Sequence, residues 1–410
     1  MCARIEGACS SLSLTTFQQV AVAVVVQAVL LDQFGVLHDG RVAVPTAVAA
    51  VAHLAEAGVT VLIISNSSRR SSGTLGKLAS LGYNPSHFAG AVTSGELTHT
   101  HLRDRPSPWW QALGRSVLHL NWSGRGPVSL QGLGLAVVQD PRDADFILAH
   151  GTEGISLPAS DGREEVAGSA GAVLGGEGSE GVGVGVLSPA AMQQLLQGAA
   201  QLSGRAELSG LQVPSPVHVA AAADEDGAAL QACSFGGLPL ILANPDLVTV
   251  DGSSLITMPG TLARQYSQAG GGPVIVMGKP GSIIYAACTS LLPDGLLPAD
   301  VLAIGDSLEH DIAGAAAAGF DSLLIAGGIH AWELLSVGAV SDVVEQASSF
   351  TDDGGPGTAS SSMRQAHSTS SARDTSLASL QPDAVNSTAL EALCRRHSAW
   401  PTYVMSRLAV

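Results

Sequence analysis

The apolar run Ala21–Leu31, rich in valine and interrupted only by Gln27, breaks off at Asp32 in the stretch LDQFGVLHDG. Such a run is too short to span a membrane and suits a buried strand of a parallel sheet. Pro45–Ala57 then predicts an alanine-rich helix, with proline near its start and Gly58 just past its end. Val59–Ile64 predicts a second buried strand running into Ser65-Asn66-Ser67-Ser68-Arg69-Arg70, and a helix near Gly73–Leu81 closes at Gly82. A short apolar segment, Phe88–Val92, leads to Thr93-Ser94-Gly95. Strands alternating with helices in this order imply a parallel sheet with right-handed crossovers, an α/β fold.

From about Glu96 to Leu242 the alternation is lost, as expected of a folded module inserted into the sheet domain. Its first part holds Trp109, Trp110 and Trp122 and strand-like runs at Ser116–Leu120, Leu135–Val138 and Asp145–Leu148. The tryptophans read as core or interface of the module. From Ile147 to Ser234 there is no Phe, Tyr or Trp, and the glycine-dense stretch GGEGSEGVGVGV lies within it. Such a segment buries too little to offset chain entropy, so residues 160–187 are expected to be disordered. GVGVGV also lacks the spacing of a dinucleotide fingerprint.

Regular pattern returns with Pro239–Ala243 and the turn Asn244-Pro245-Asp246. Helices are predicted at Thr261–Gln268, Ser282–Leu292 and about Glu309–Ala318, and strands at Val274–Met277, Val301–Ile304 and Ser322–Ile325. The chain thus divides into a sheet domain (1–95 and 243–347), the inserted module (96–242), a Ser/Thr-rich segment expected to be disordered (348–390), and a return segment (391–410) with a strand near Thr402–Met405.

Composition narrows the function classes. Nineteen basic against 35 acidic residues give a net charge of −16, the opposite of a general nucleic-acid binder, although phosphorylated small molecules need only a local cation. No uninterrupted apolar run is long enough to cross a membrane. The five cysteines are scattered without a CxxC pair, which makes a reducing compartment the default. A secretory signal is not expected. The Ser/Thr content of Ala8–Thr16 faintly resembles a transit peptide, so the expected location is cytoplasmic with plastid or mitochondrion left open. Association into a homo-oligomer is also left open.

Four strand ends carry polar groups: Asp32, Ser65, Lys279 on the loop after its strand, and Asp306 with Asp311 five residues on. Strands of a parallel sheet run the same way, so such ends can converge on one edge although distant in sequence. Lys279 is one of only two lysines in the chain, the other being Lys77. As a set they suit phosphoryl transfer: a carboxylate nucleophile, a hydroxyl and an ammonium for phosphoryl oxygens, and paired carboxylates for Mg²⁺. Singly, each has an ordinary reading as a turn aspartate, a helix-capping serine or a surface lysine.

In order, these segments resemble the four motifs of the haloacid dehalogenase (HAD) superfamily of hydrolases: DQFGVLHDG at Asp32, IISNSS at Ser65, GKP at Lys279, and IGDSLEHDIAGAAAAG at Asp306 and Asp311. The insertion between the second and third motifs, with ANPD at 243–246 and PGTLA at 259–263, resembles the class IIA phosphatase-like branch. The resemblance implies a Rossmannoid core with an inserted α/β cap. It implies a nucleophile at Asp32, phosphoryl-oxygen donors at Ser65 and Lys279 with Asn66 also on the substrate, and magnesium ligands at Asp32, Asp306 and the Phe34 carbonyl. Asp311 would be a further ligand or a support. The substrate would be a small phosphorylated metabolite, selected by the cap.

One position departs from the family. The second carboxylate of the phosphatase motif Asp-x-Asp, its general acid and base, is Phe34 here. General acid–base catalysis is worth about 10²–10⁴-fold. Three outcomes follow: a slow phosphatase acting on good leaving groups, substitution by His38 or Asp39, or a protein that binds a phosphometabolite without turnover. An aromatic two residues after the nucleophile also resembles the metal-independent dehalogenases, but the Asp306–Asp311 pair favours phosphorus over halide chemistry. Arg69 and Arg70 read as exposed helix-start residues, His99 and His101 as strand or loop surface, and Lys77 as a solvated helix face.

Overall fold

Val29 and Leu31 face one side of the opening strand and Ala28 and Leu30 the other, and all four are buried because packed layers cover both faces of the sheet. The computed structural model describes residues 2–4, 26–158, 183–202, 208, 211–214, 236–251, 254–335 and 385–409. The first elements are β1 (Cys2–Arg4), β2 (Ala28–Leu31), α1 (Pro45–Glu56), β3 (Thr60–Ser65), α2 (Ser71–Ser80), β4 (Gly90–Thr93) and α3 (Ser94–Asp104). In α1, Ala47, Ala50, Val51 and Leu54 form the buried stripe that a 3.6-residue period predicts. Thr93 caps α3 by accepting the Glu96 N–H. Of the expected strand Ala21–Leu31, residues 21–25 lie outside the described residues, and extended pairing starts at Ala28.

The inserted module follows, with α4 (Pro108–Ala112), β5 (Ser116–Asn121), β6 (Ala136–Val138), β7 (Phe146–Ala149), β8 (Gly154–Ser156), β9 (Val184–Val186), α5 (Pro189–Ala200), β10 (Leu240–Leu242), the hairpin β11 (Val248–Asp251) and β12 (Ser254–Thr257), α6 (Pro259–Gln268) and β13 (Val274–Val276). The chain then runs through α7 (Ser282–Leu291), β14 (Val301–Gly305), a π-helical turn (Leu308–Ile312) continuing as α8 (Ala313–Ala318), β15 (Asp321–Ile325), α9 (Ala331–Leu334), α10 (Ser387–His397) and β16 (Tyr403–Met405).

Two sheets result. The first has the order β1-β16-β15-β14-β2-β3-β4 and is parallel except for β1. The second has the order β13-β10-β7-β5-β8-β9, with β6 also paired to β5; its pairs are parallel except β5–β8 and β8–β9. One apolar cluster joins them, from Leu30 and Leu62 of the first sheet through Trp109 and Trp110 to Phe146, Ile241 and Ile275 of the second. Both tryptophans are therefore core.

Three expectations need correction. The return to the first sheet was placed at residue 243, yet β13 pairs with β10 in register Leu240↔Val274, so the second sheet extends to Val276. Of the expected disordered stretch 160–187, residues 160–182 lie outside the described residues, but Val184–Val186 form a strand against β8. A Cβ on Gly154 would lie 2.3 Å from the carbonyl oxygen of Gly185, so glycine permits this pairing rather than preventing it. Of the expected disordered segment 348–390, residues 348–384 lie outside the described residues, while α10 begins at Ser387 under an Asn386 cap. The return strand forms as expected, parallel to β15.

Candidate active site

Strands β14 and β2 are neighbours in register Ile304↔Leu31, so the first residues past their carboxyl ends fall side by side. Asp32 and Asp306 occupy those places. The Asp32 N–H donates to the Ile304 carbonyl at 2.9 Å. After Asp32 the chain turns sharply, with Leu37 N–H donating to Gln33 O at 2.8 Å and Gly35 at φ +81°. Gly35 is obligatory on two counts: its φ, and the 1.9 Å that would separate its Cβ from Asp306 Oδ2. Gly328, on the loop after β15, approaches the same oxygen as closely, at 2.1 Å for a Cβ. Ile329 donates its N–H to it at 2.8 Å.

Lys279 comes from the other sheet, three residues past β13. Its Nζ stands 2.6 Å from Asp32 Oδ1 and 2.6 Å from Asp311 Oδ1. Asp311 sits in the π-helical turn and takes the Ser307 N–H on its other oxygen at 3.1 Å. Asp32, Asp306 and Asp311 each place a carboxylate oxygen within 4.8 Å of the others. At the end of β3, Ser65 Oγ accepts from Gln33 Nε2 at 2.5 Å and from the Ser67 N–H at 3.1 Å, which leaves its own proton to donate.

Electrostatics follow from that crowding. Burial, countered by Lys279 and reinforced by Asp311, pushes Asp32 up to about 7. Burial and the two neighbouring carboxylates push Asp306 well above the usual carboxylate range. Burial works against the Lys279 ammonium, but Asp311 and Asp32 outweigh it and raise its pKa well above normal. Three buried carboxylates against one ammonium leave a deficit of positive charge, and the donors are hard oxygens, so the residues fit a divalent cation such as Mg²⁺.

Asn66 uses its amide internally: Oδ1 accepts the Lys279 N–H at 2.7 Å, and Nδ2 donates to Asp246 Oδ1 at 2.8 Å and to the Lys279 carbonyl at 3.3 Å. Phe34 follows Gln33 on the turn with its ring 41 % exposed and edge-on to His38, centroids 6.0 Å apart. His38 is buried, and its Nδ1 accepts the Gly40 N–H at 3.0 Å. Burial lowers its pKa, and the charges acting on it are those of Lys77 and Asp39. Asp39 is taken up by the N–H groups of Arg41 and Val42. Arg70 pairs with Glu96 at 2.7 Å, and His99 and His101 lie on α3 rather than on a strand or loop, the His101 ring tilted against that of Trp110 with centroids 5.2 Å apart. The sequence reading gave no role to Gln33, Asp246 or Ile329. Asp246 carried a signal, standing in the quoted ANPD, whereas the Ile329 N–H has none because any residue supplies it.

A buried aspartate, a lysine and paired aspartates at the carboxyl edge of a parallel sheet, with a second α/β module inserted between them, define a HAD-type fold. Family models for haloacid dehalogenase-like hydrolases match residues 29–124 and 276–347, the segments that supply every site residue named above except Asp246. The chain belongs to that superfamily. Among solved structures it is similar to a haloacid dehalogenase-like hydrolase from Brucella suis, at 25 % identity over 75 % of this chain and 88 % of that one, with a TM-score of 0.51. A p-nitrophenyl phosphatase from Archaeoglobus fulgidus aligns at 19 % identity over 74 % and 87 %, TM-score 0.45. A glycerol phosphate phosphatase from Mycobacterium tuberculosis, in complex with calcium, aligns at 18 % over 74 % and 67 %, TM-score 0.42. No curated protein sequence matches the chain at a significant level. Among the described residues no helix is long and apolar enough to cross a membrane.

Proposed function

We propose that the chain is a Mg²⁺-dependent phosphatase of the class IIA type, acting on a small phosphorylated metabolite through an aspartyl-phosphate intermediate. The observation that carries this reading is the contact of Lys279 with Asp32 at 2.6 Å beside Asp306 and Asp311. Asp32 attacks phosphorus, and the bond to the leaving oxygen breaks; water then attacks the phosphorus and returns the carboxylate. Lys279 and the Ser65 hydroxyl face the equatorial phosphoryl oxygens and offset their growing charge. Asp32, Asp306, Asp311 and, by the family resemblance, the Phe34 carbonyl would hold Mg²⁺, whose charge offsets that of the carboxylates and the phosphate.

A second reading is favoured by Phe34, which cannot move a proton: a module that binds a phosphorylated ligand without turnover. A panel of phosphate esters assayed with Mg²⁺, with chelator, and with Asp32→Asn separates the two. Phosphate release that disappears with chelator and in Asp32→Asn is expected. Turnover surviving in Asp32→Asn would remove the nucleophile assignment, and saturable binding of an ester without release would establish the second reading.

A further inference from the structure

Gln33 is a buried amide between Asp32 and Phe34. Strands β2 and β3 pair in register Leu31↔Ile63, and two further residues along each chain bring Gln33 beside Ser65. The Gln33 carbonyl anchors the turn by accepting the Leu37 N–H at 2.8 Å and the His38 N–H at 3.1 Å. Its own N–H lies on the Asp32 carboxylate, where it favours the ionised form. From this fixed backbone the side chain reaches across to the next strand, and Nε2 donates to Ser65 Oγ at 2.5 Å. An amide is costly to bury unless it is hydrogen-bonded, and an apolar side chain of the same length would fill the space without that demand. The bond to Ser65 is what the amide adds.

A serine hydroxyl has one proton to give and two lone pairs with which to accept. At Ser65 the Gln33 amide occupies one lone pair and the Ser67 N–H, at 3.1 Å, the other. The one role left to the hydroxyl is to donate. Donors aimed in advance at the place where negative charge grows stabilise a transition state without reorganising as it forms. The sense of the bond decides the outcome. A side-chain oxygen set against Ser65 would draw the serine proton toward residue 33 and away from the phosphoryl group.

Resting on the phosphatase reading, we propose that Gln33 is a positioning residue: acting through Ser65, it commits the serine hydroxyl to donate to the phosphoryl group that Asp32 receives. No proton leaves Gln33, and Ser65 keeps its own while sharing it with a phosphoryl oxygen. Gln33 touches Asp32 through its N–H and Ser65 through its amide, so one residue sets the attacking oxygen and the donor that meets the growing charge relative to each other.

The test is a double-mutant cycle between residues 33 and 65 of the full chain, read as kcat and KM with Mg²⁺ on whichever ester of the phosphate panel the parent hydrolyses fastest. Ser65→Ala removes the donor and is expected to lower kcat about 10²-fold. Gln33→Met keeps the length of the side chain, loses its donor, and is expected to lower kcat about 10-fold with KM changed less than about 3-fold. In the Ser65→Ala background Gln33→Met is expected to lower kcat by less than about 2-fold more. Gln33→Glu, which can only accept when ionised, is expected to lower kcat further than Gln33→Met does, and by less in the Ser65→Ala background than in the parent. All variants are checked for unchanged melting, and if Gln33→Met does not fold, the isosteric Gln33→Glu completes the cycle. A loss in Gln33→Met as large with Ser65→Ala as without it, a rise in KM in place of the fall in kcat, or full activity in Gln33→Glu overturns the proposal while the phosphatase reading stands. No phosphate release by the parent overturns both.

Discussion

The Lys279 N–H donates to Asn66 Oδ1 at 2.7 Å although 213 residues separate the two. Lys279 follows β13 of the second sheet and Asn66 follows β3 of the first, so the bond ties the second sheet to the carboxyl edge of the first. Asp246, past β10, fixes which way the Asn66 amide faces by accepting from Nδ2 at 2.8 Å. A Cβ on Gly278 would come within 2.4 Å of Asn66 Oδ1, which explains glycine before the lysine. Asn66→Ala is therefore expected to lower kcat about 10- to 100-fold with a smaller change in KM, since small displacements of a catalytic group cost that much. Asn66→Asp sets two carboxylates facing each other and lowers kcat further, and adding Asp246→Asn should restore part of the loss. Steady-state kinetics on the single and double variants measure the coupling.

Lys279 is the one cation that contacts both Asp32 and Asp311 in the described structure, and all three are buried. Lys279→Met leaves three carboxylates together with no countercharge. Removing one partner of a buried pair destabilises by about 3–5 kcal/mol. The variant is expected to melt well below the parent in chelator and to recover most of the difference in millimolar Mg²⁺, while phosphate release falls at least about 10³-fold. Melting curves with and without Mg²⁺ check the first part, and ester hydrolysis the second.

The convergence of Asp32, Ser65 and Asp306 was legible in the sequence because each follows an apolar run and parallel strands bring their carboxyl ends together, with Asp311 carried along in the turn that follows Asp306. Which sheet a strand joins was not. Val274–Val276 has the same apolar pattern as Val301–Gly305, and only the distant pairing Leu240↔Val274 separates them. Composition misled in two places. Val184–Val186 is an edge strand whose backbone comes close because Gly154 opposite it has no Cβ, and the Asn386 cap of α10 lies inside a Ser/Thr-rich stretch. Asn66 was expected on the substrate, and its amide makes its bonds to Lys279 and Asp246, partners that only the folded chain supplies.

Phe34→Asp restores a carboxyl group where the family keeps its proton donor. The Phe34 side chain is part-exposed, so its loss is tolerable for the fold. Hydrolysis of an alkyl phosphate with a basic leaving group is expected to rise about 10²-fold or more, whereas an aryl phosphate gains much less because its oxygen needs no proton. The measurement is the slope of log kcat/KM against leaving-group pKa, which should flatten in the variant. An unchanged slope would count against the missing-acid argument.

In the second sheet, Asn121 Nδ2 donates to Ser156 Oγ at 2.9 Å, Ser156 Oγ meets His119 Nδ1 at 2.9 Å, and His119 Nε2 meets His150 Nδ1 at 2.8 Å. One arrangement satisfies every atom in this chain: the serine donates to His119 Nδ1, and His119 Nε2–H donates to His150 Nδ1, with both rings neutral. Protonating His150 would set two N–H groups against each other in a buried place. Burial accordingly drives His150 down to about 3, and burial together with His150 drives His119 well below its ordinary value. Because the folded-state pKa values lie below the ordinary 6.5, the unfolded chain binds more protons as pH falls. The stability contributed is fully present above pH 6.5 and is lost progressively toward pH 3. Each histidine contributes a slope of about 1.4 kcal/mol per pH unit well inside that window. Denaturant unfolding in saturating Mg²⁺ at pH 7, 6, 5 and 4 should show it, and His150→Gln should unfold with a shallower pH dependence. The site carboxylates titrate in both proteins, so the difference between the two slopes isolates the histidines. Identical slopes would mean that His150 takes up its proton without disturbing the fold.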